Sequence, residues 1–384
     1  MRKKILFVGL FLLTAVLLSG CTGALAWPGL SASGNVAYLA NTGAVHAIDL
    51  KNGQELWKFT GQSAGFLNTN PSLFVTTPLV TDNGLLIVLD SGNKHIIYAV
   101  DTTDINQEKK TPNVAWRFTQ ADGHWIAPPL IVENRLFAPN SDGNVYVLDI
   151  QDGQSEKQAI KVIKLSDSNG QPDRLWAQPV TDGQRLFVSS LDHRIFAIDL
   201  QSYNILWNKQ LDGAILGAPT LGSDGMLYVG SLAKKLERFD PATGEHVSVL
   251  EDTKGWIWGT PIVDGDTLYF STVQNVANTS EGYFYSYNTK GSKLNWEPIK
   301  LDGAITASPL ILDDRLLVAT ESGDIFSVSK DGKYDSWYHP EKEGKAYTTP
   351  VRAGGYVLVA YLQSDYYLVA LDEEGDVKWT FPTN

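Results

Sequence analysis

Few side chains in this sequence have the type and spacing that a reaction would need. Cys21 is the only cysteine, which excludes intramolecular disulfides, cysteine-based zinc sites and iron–sulfur clusters. The six histidines (His46, His95, His124, His193, His246 and His339) stand far apart, with no H-x-H or H-E-x-x-H pair. A zinc site would therefore need ligands converging from distant parts of the chain. No G-x-x-x-x-G-K-[ST] or G-x-G-x-x-G loop is present to cradle a phosphate. Gly29-Leu30-Ser31-Ala32-Ser33 approaches a nucleophile elbow but lacks its closing glycine. Oxygen-rich turns around Asp101, Asp104 and Asn106, and around Asp167 and Asn169, do not follow EF-hand spacing and read as solvated turns. Asn278-Thr279-Ser280 fits a glycosylation sequon. The expectation is a chain with no catalytic, cofactor-binding or metal residues.

What remains is chemistry of contact. His124, Trp125, Arg174, Trp176, Trp256, Trp258 and Tyr347 lie just ahead of recurring prolines, and His193, Lys234 and the 273–281 segment fall where loops are expected. Aromatic rings mixed with Arg and His at loop positions suit a protein interface or a sugar-stacking site. The competing reading is that these rings plug an internal channel and pack inner strands, and for Trp256 and Trp258 the two readings weigh equally. Which residues can act together depends on the elements that carry them.

Those elements are tandem repeats. A small residue and a proline open a short strand, as at Ala218-Pro219 and Ser308-Pro309. A Gly/Asp turn leads to an apolar strand such as Leu227-Tyr228-Val229-Gly230-Ser231, and a third strand ends in aspartate, as in Phe196-Ala197-Ile198-Asp199. After a further turn a tryptophan closes the unit. The opening prolines are Pro28, Pro78, Pro128, Pro179, Pro219, Pro261, Pro309 and Pro350, and the closing tryptophans are Trp57, Trp116, Trp207, Trp296, Trp337 and Trp379. The third and fifth units lack the Trp, and Asn288 and Ser329 replace the aspartate in the sixth and seventh. Eight units of about 40–50 residues with four short strands each predict an all-β, eight-bladed β-propeller of four-stranded antiparallel blades. The Trp is expected between adjacent blades, and Gly53, Gly153 and Gly244 where the backbone needs a positive φ.

Composition agrees: 43% of residues are hydrophobic and 19% charged, with 16 Tyr, 14 Phe, 11 Trp and 34 Gly, a mixture that favours many short strands and turns. The net charge of −12 argues against nucleic acid as a partner.

The amino terminus is of a different kind. Arg2-Lys3-Lys4 precedes an apolar run over residues 5–18, too short to span a bilayer comfortably and typical of a signal peptide. Leu18-Ser19-Gly20-Cys21 resembles the lipobox of bacterial lipoproteins, which are cleaved before the cysteine that then carries the lipid. The organisation expected is a leader over 1–20, a lipidated tether over 21–26 and the propeller over 27–384, exported and held on the outer face of the cell membrane or on the outer membrane.

The repeat pattern is similar to that of the PQQ-like repeat propellers, a family that takes in quinoprotein alcohol dehydrogenases and BamB-like lipoproteins. The resemblance covers nearly all of the chain beyond the leader. From the BamB-like members it implies a non-catalytic scaffold whose partners are other envelope proteins in outer-membrane protein assembly; the chain is expected to be a monomer. From the quinoproteins it implies pyrroloquinoline quinone (PQQ) with calcium, the cofactor sandwiched between a Trp and a ring of adjacent disulfide-bonded cysteines. With Cys21 alone that cysteine pair is missing. A PQQ-dependent oxidoreductase is thus the runner-up, beside a carbohydrate-binding propeller stacking sugars on Trp125, Trp176 or Trp258.

Overall fold

The computed structural model describes residues 27–61, 71–276 and 279–382; the leader, Cys21 and Asn278 lie outside them. Among the described residues the regular structure is entirely β. Eight antiparallel sheets follow one another along the chain, at 29–59, 79–118, 130–164, 180–210, 220–250, 256–302, 310–338 and 351–381. Seven pair four strands in chain order. In the sixth the first and last strands are each interrupted: Trp256–Ile257 and Ile262–Asp264 pair on one side of a long hairpin, Lys293–Leu294 and Ile299–Asp302 on the other. The chain is an eight-bladed β-propeller.

The middle strands of most blades are largely apolar because both faces are covered. In Arg185–Ser189, Leu186 and Val188 pack toward the third blade while Phe187 packs toward the fifth. Each of the eight blade junctions has its own buried cluster, including the one between the first and last blades, where Leu39 and Ile48 meet Leu358 and Ala370. Among the described residues the first blade holds only amino-terminal strands and the last only carboxy-terminal ones. The ring therefore closes by packing and not by a blade shared between the two ends.

The closing tryptophan holds these junctions. The Trp379 indole donates to the Leu50 carbonyl at 2.8 Å, Trp207 to that of Pro241 at 3.0 Å, and Trp337 to that of Glu373 at 3.3 Å. In each case the acceptor follows the strand-ending aspartate of the next blade. That aspartate caps its own turn, Asp49 accepting from the Lys51 amide at 2.9 Å and Asp240 from the Ala242 amide at 2.7 Å. The replacements do the same work: Asn288 accepts from the Gly291 amide at 2.6 Å and Ser329 from the Lys333 amide at 3.0 Å. The glycine of the turn is doubly constrained. Gly53 has φ +73°, and a Cβ there would sit 2.7 Å from the Trp379 ring; Gly244 has φ +70° and the same separation from Trp207. In the third blade Lys157 stands where others have Trp. It is 2% exposed, paired with Asp152 and 5.5 Å from the Trp116 ring centre.

Two local expectations are corrected. The described residues of the 273–281 segment are strand and not loop: Thr267–Val276 and Thr279–Asn288 pair in register out to Val276 and Thr279. The proline that opens the third blade is Pro129, immediately ahead of the strand Leu130–Val132, and not Pro128.

Trp379→Ala removes the indole that joins the last blade to the first and should cost about 3–5 kcal/mol in urea denaturation. Val377→Thr, on the exposed edge of the same strand, should stay within about 0.5 kcal/mol. Equal losses for the two would show that ring closure does not rest on the tryptophan.

Candidate functional site

The segment leading into each blade alternates in burial, and the proline sets its register. The residue four positions before the proline is a buried apolar plug: Trp125, Leu175, Ile215, Ile257, Ile305 and Ala346 are all 0 or 1% exposed. Trp125 belongs to this set. Its ring packs among Phe118, Tyr146 and Leu136 and is withdrawn from any surface ligand. The one-residue misplacement of the opening proline, Pro128 for Pro129, put Trp125 in the wrong class.

The residue three positions before the proline turns away from that junction, and at Trp258 and Tyr347 it reaches the axis. Trp176 and Trp258 are half-buried there and Tyr347 is 8% exposed. Trp27, one residue ahead of Pro28, stacks on Tyr347 with ring centres 5.1 Å apart and an interplanar angle of 13°. It also approaches Trp258 to 5.9 Å. Trp258 leads into the sixth blade and Trp27 into the first, with the seventh and eighth between them, so these rings can meet only across the axis. The three aromatics cap the central channel at the end where blades are connected. The sequence reading missed Trp27, whose signal was its place directly before an opening proline.

Acidic partners fix the polar members of this end. Tyr347 Oη donates to Glu321 Oε1 at 2.8 Å, and Lys345 Nζ lies 2.8 Å from the same oxygen. Burial alone would raise the Glu321 carboxyl, but these two donors outweigh it and hold the group below the usual range. Burial and the neighbouring carboxylate push the Tyr347 phenol up. Arg174 grips Asp192 with two nitrogens, Nη2 at 2.8 Å and Nε at 3.2 Å, and its amide bonds the same carboxylate at 2.6 Å. Beside it Arg194 forks onto Asp173, whose side chain has no exposed surface. Burial raises the Asp173 carboxyl in spite of that cation.

His124 is exposed and lies edge-on to His95 at 4.7 Å, its Nδ1 2.9 Å from the Ser91 carbonyl oxygen. His193 has φ +66°, and its carbonyl accepts from the Leu211 amide at 2.7 Å; Lys234 at φ +62° accepts likewise from Thr253. Gly143 occupies the equivalent turn position in the third blade, φ +86°, accepting from Leu165. The backbone thus sets these two turns, with the side chains free to vary. Trp256 is half-buried in the short strand it forms with Ile257.

All eight sequence candidates fall at one end of the ring, but they form separate groups and no single constellation. Trp258 and Tyr347 join through Trp27, Arg174 and His193 flank the Asp192 turn, and His124 pairs with His95. Among the described residues no group of three or more His, Cys, Asp or Glu is placed to hold a metal ion. The arrangement offers aromatic surface and neutralised charge, which is the chemistry of contact.

Two substitutions separate the buried ion pair from the exposed one. Arg194→Met leaves Asp173 buried without its cation and should cost about 3–5 kcal/mol at neutral pH. The raised Asp173 carboxyl favours the protonated form in the fold, so this deficit should shrink as pH falls. Arg174→Met, with a side chain 62% exposed, should cost under about 1 kcal/mol. Glu321 behaves oppositely to Asp173: its lowered carboxyl supplies stability above the unfolded-state value, lost as pH falls through the folded one. Glu321→Gln should therefore flatten the acid limb of the stability curve as pH falls below the usual glutamate value of about 4.3. An unchanged acid limb would refute the assignment.

Known proteins place this architecture. The profile of the family described as outer membrane protein assembly factor BamB matches residues 22–248 and 233–384. BamB from Yersinia pestis is 20% identical over 348 residues, covering 79% of this chain and 84% of that protein. The crystal structure of BamB from Moraxella catarrhalis superposes with a TM-score of 0.63 at 16% identity, covering 86% of this chain and 90% of that one. The computationally designed Ika8 protein gives 0.65 at 12% identity, covering 93% and 96%, and shows the same fold. With the profile spanning the whole propeller, this chain belongs to the BamB family of PQQ-like repeat propellers.

Proposed function

We propose that this chain is a membrane-anchored, extracytoplasmic scaffold that binds other envelope proteins during outer-membrane protein assembly and performs no reaction itself. The observation that carries this reading is the match of the BamB profile from residue 22 to residue 384. The end of the ring where blades connect supports it. A rigid frame there presents half-buried aromatics and charges already matched in pairs, a surface suited to docking a protein. The lipobox-like Leu18-Ser19-Gly20-Cys21 supports anchoring to a bacterial membrane.

A PQQ-type quinone fits these residues poorly. It needs a flat slot and cations for its carboxylates, whereas Trp27, Tyr347 and Trp258 fill the axial mouth with one another and Lys345 is committed to Glu321.

The test is a cross-linked affinity purification of the full-length, membrane-bound chain, with proteins identified by mass spectrometry. Components of the outer-membrane β-barrel assembly apparatus should be recovered, and Trp176→Ala or Arg174→Met should lower that recovery several-fold without loss of fold. Recovery of none of them, or saturable binding of the quinone with calcium, would overturn the proposal.

A further inference from the structure

The place where the chain enters the ring limits how the propeller can sit on a membrane. Trp27 is at the axis and not at the rim: its ring contacts Tyr347, which leads into the eighth blade, and Trp258, which leads into the sixth, three blades from its own. Cys21 precedes it by only six residues, a tether that reaches at most about 20 Å when fully extended. An anchor that short, attached near the centre of one end of a disc, brings that end as a whole toward the bilayer. Attached at the rim, it would instead leave the disc free to stand on edge.

We propose that the propeller lies face-on to the membrane, with the blade-connecting end toward the lipid surface and the opposite end toward the aqueous compartment. The proposal rests on lipidation of Cys21 in the reading above. The occupant of the near end is a lipid surface held by the tether, with the aromatic cap of Trp27, Trp258 and Tyr347 centred over it. Trp and Tyr are the residues most at home at a membrane interface. The far end carries the Asp-capped turns, with exposed side chains such as Gln201 and Glu374. A partner docking on Arg174 or Trp176 must then present its own surface within the tether's reach of the bilayer.

The sole cysteine carries the lipid, so introduced thiols take a fluorophore cleanly. Asn93→Cys and Asp302→Cys lie on opposite blades at the near end, and Gln201→Cys and Glu374→Cys on opposite blades at the far end; all four sites are exposed. The full chain, lipidated in cells and confirmed by mass, is reconstituted into phosphatidylethanolamine/phosphatidylglycerol vesicles bearing a headgroup-linked acceptor. Energy transfer should be several-fold greater from both near-end labels than from both far-end labels. A flexible Gly/Ser insertion of about 30 residues ahead of Trp27 should erase that difference. With lipid present, equal transfer from the two ends, or strong transfer from one label at each end, overturns face-on seating alone. Absence of lipid on Cys21 overturns the anchoring reading and this proposal with it.

Discussion

The junction between one blade and the next is the constraint on which everything else depends. A four-stranded sheet with apolar residues on both faces cannot be stable alone, and here each blade finds two neighbours because the ring has no ends. Closure is the demanding step, since among the described residues no strand from one terminus joins the blade of the other. The Trp379 indole on the Leu50 carbonyl and the Gly53 turn supply there, across 329 residues of chain, the contact that Trp207 makes between consecutive blades. A glycine with a left-handed backbone and a ring against its Cα meets two demands at once, and no other residue can meet both.

The lead-in segments translate that packing into a usable surface. Because each runs as an extended stretch, every second side chain is driven into a blade junction and those between turn toward the axis or the solvent. Ile257 and Trp258 are neighbours in sequence with opposite fates. The same rule buries Trp125 and leaves Trp176 half-open. Where rings from several lead-ins reach the axis, they close it, and the aromatic cap becomes both the centre of one end and the exit of the amino-terminal segment.

Charge at this end is organised with equal economy. Asp173 is buried and tolerable only with Arg194 against it, while the Arg174–Asp192 pair one residue along stays at the surface. Glu321 gathers Tyr347 and Lys345 onto one carboxylate. An acidic protein thereby presents an end whose nearby charges are already balanced, which lowers the desolvation cost of covering it with another surface.

The sequence by itself determined the fold class, the number of blades, the closing tryptophans, the capping aspartates and the glycines with positive φ. All of these follow from local repetition: a turn needs its capping oxygen and its glycine whatever the surroundings, and the period counts the blades. The candidate end was legible too, because loops of one class share one end of a propeller. Tertiary structure alone decided which candidates are surface and which are core. Trp125 and Trp258 look alike in sequence, and a single step in register, invisible where Pro128 and Pro129 stand side by side, sends one into a junction and the other to the axis. It also decided that residues 273–276 and 279–281 are paired strand, since nothing in their composition separates a loop from two strands without the partner strands. Last, it decided that Trp27 meets Tyr347 and Trp258, a contact made by ring geometry between segments 231 and more residues apart in the chain.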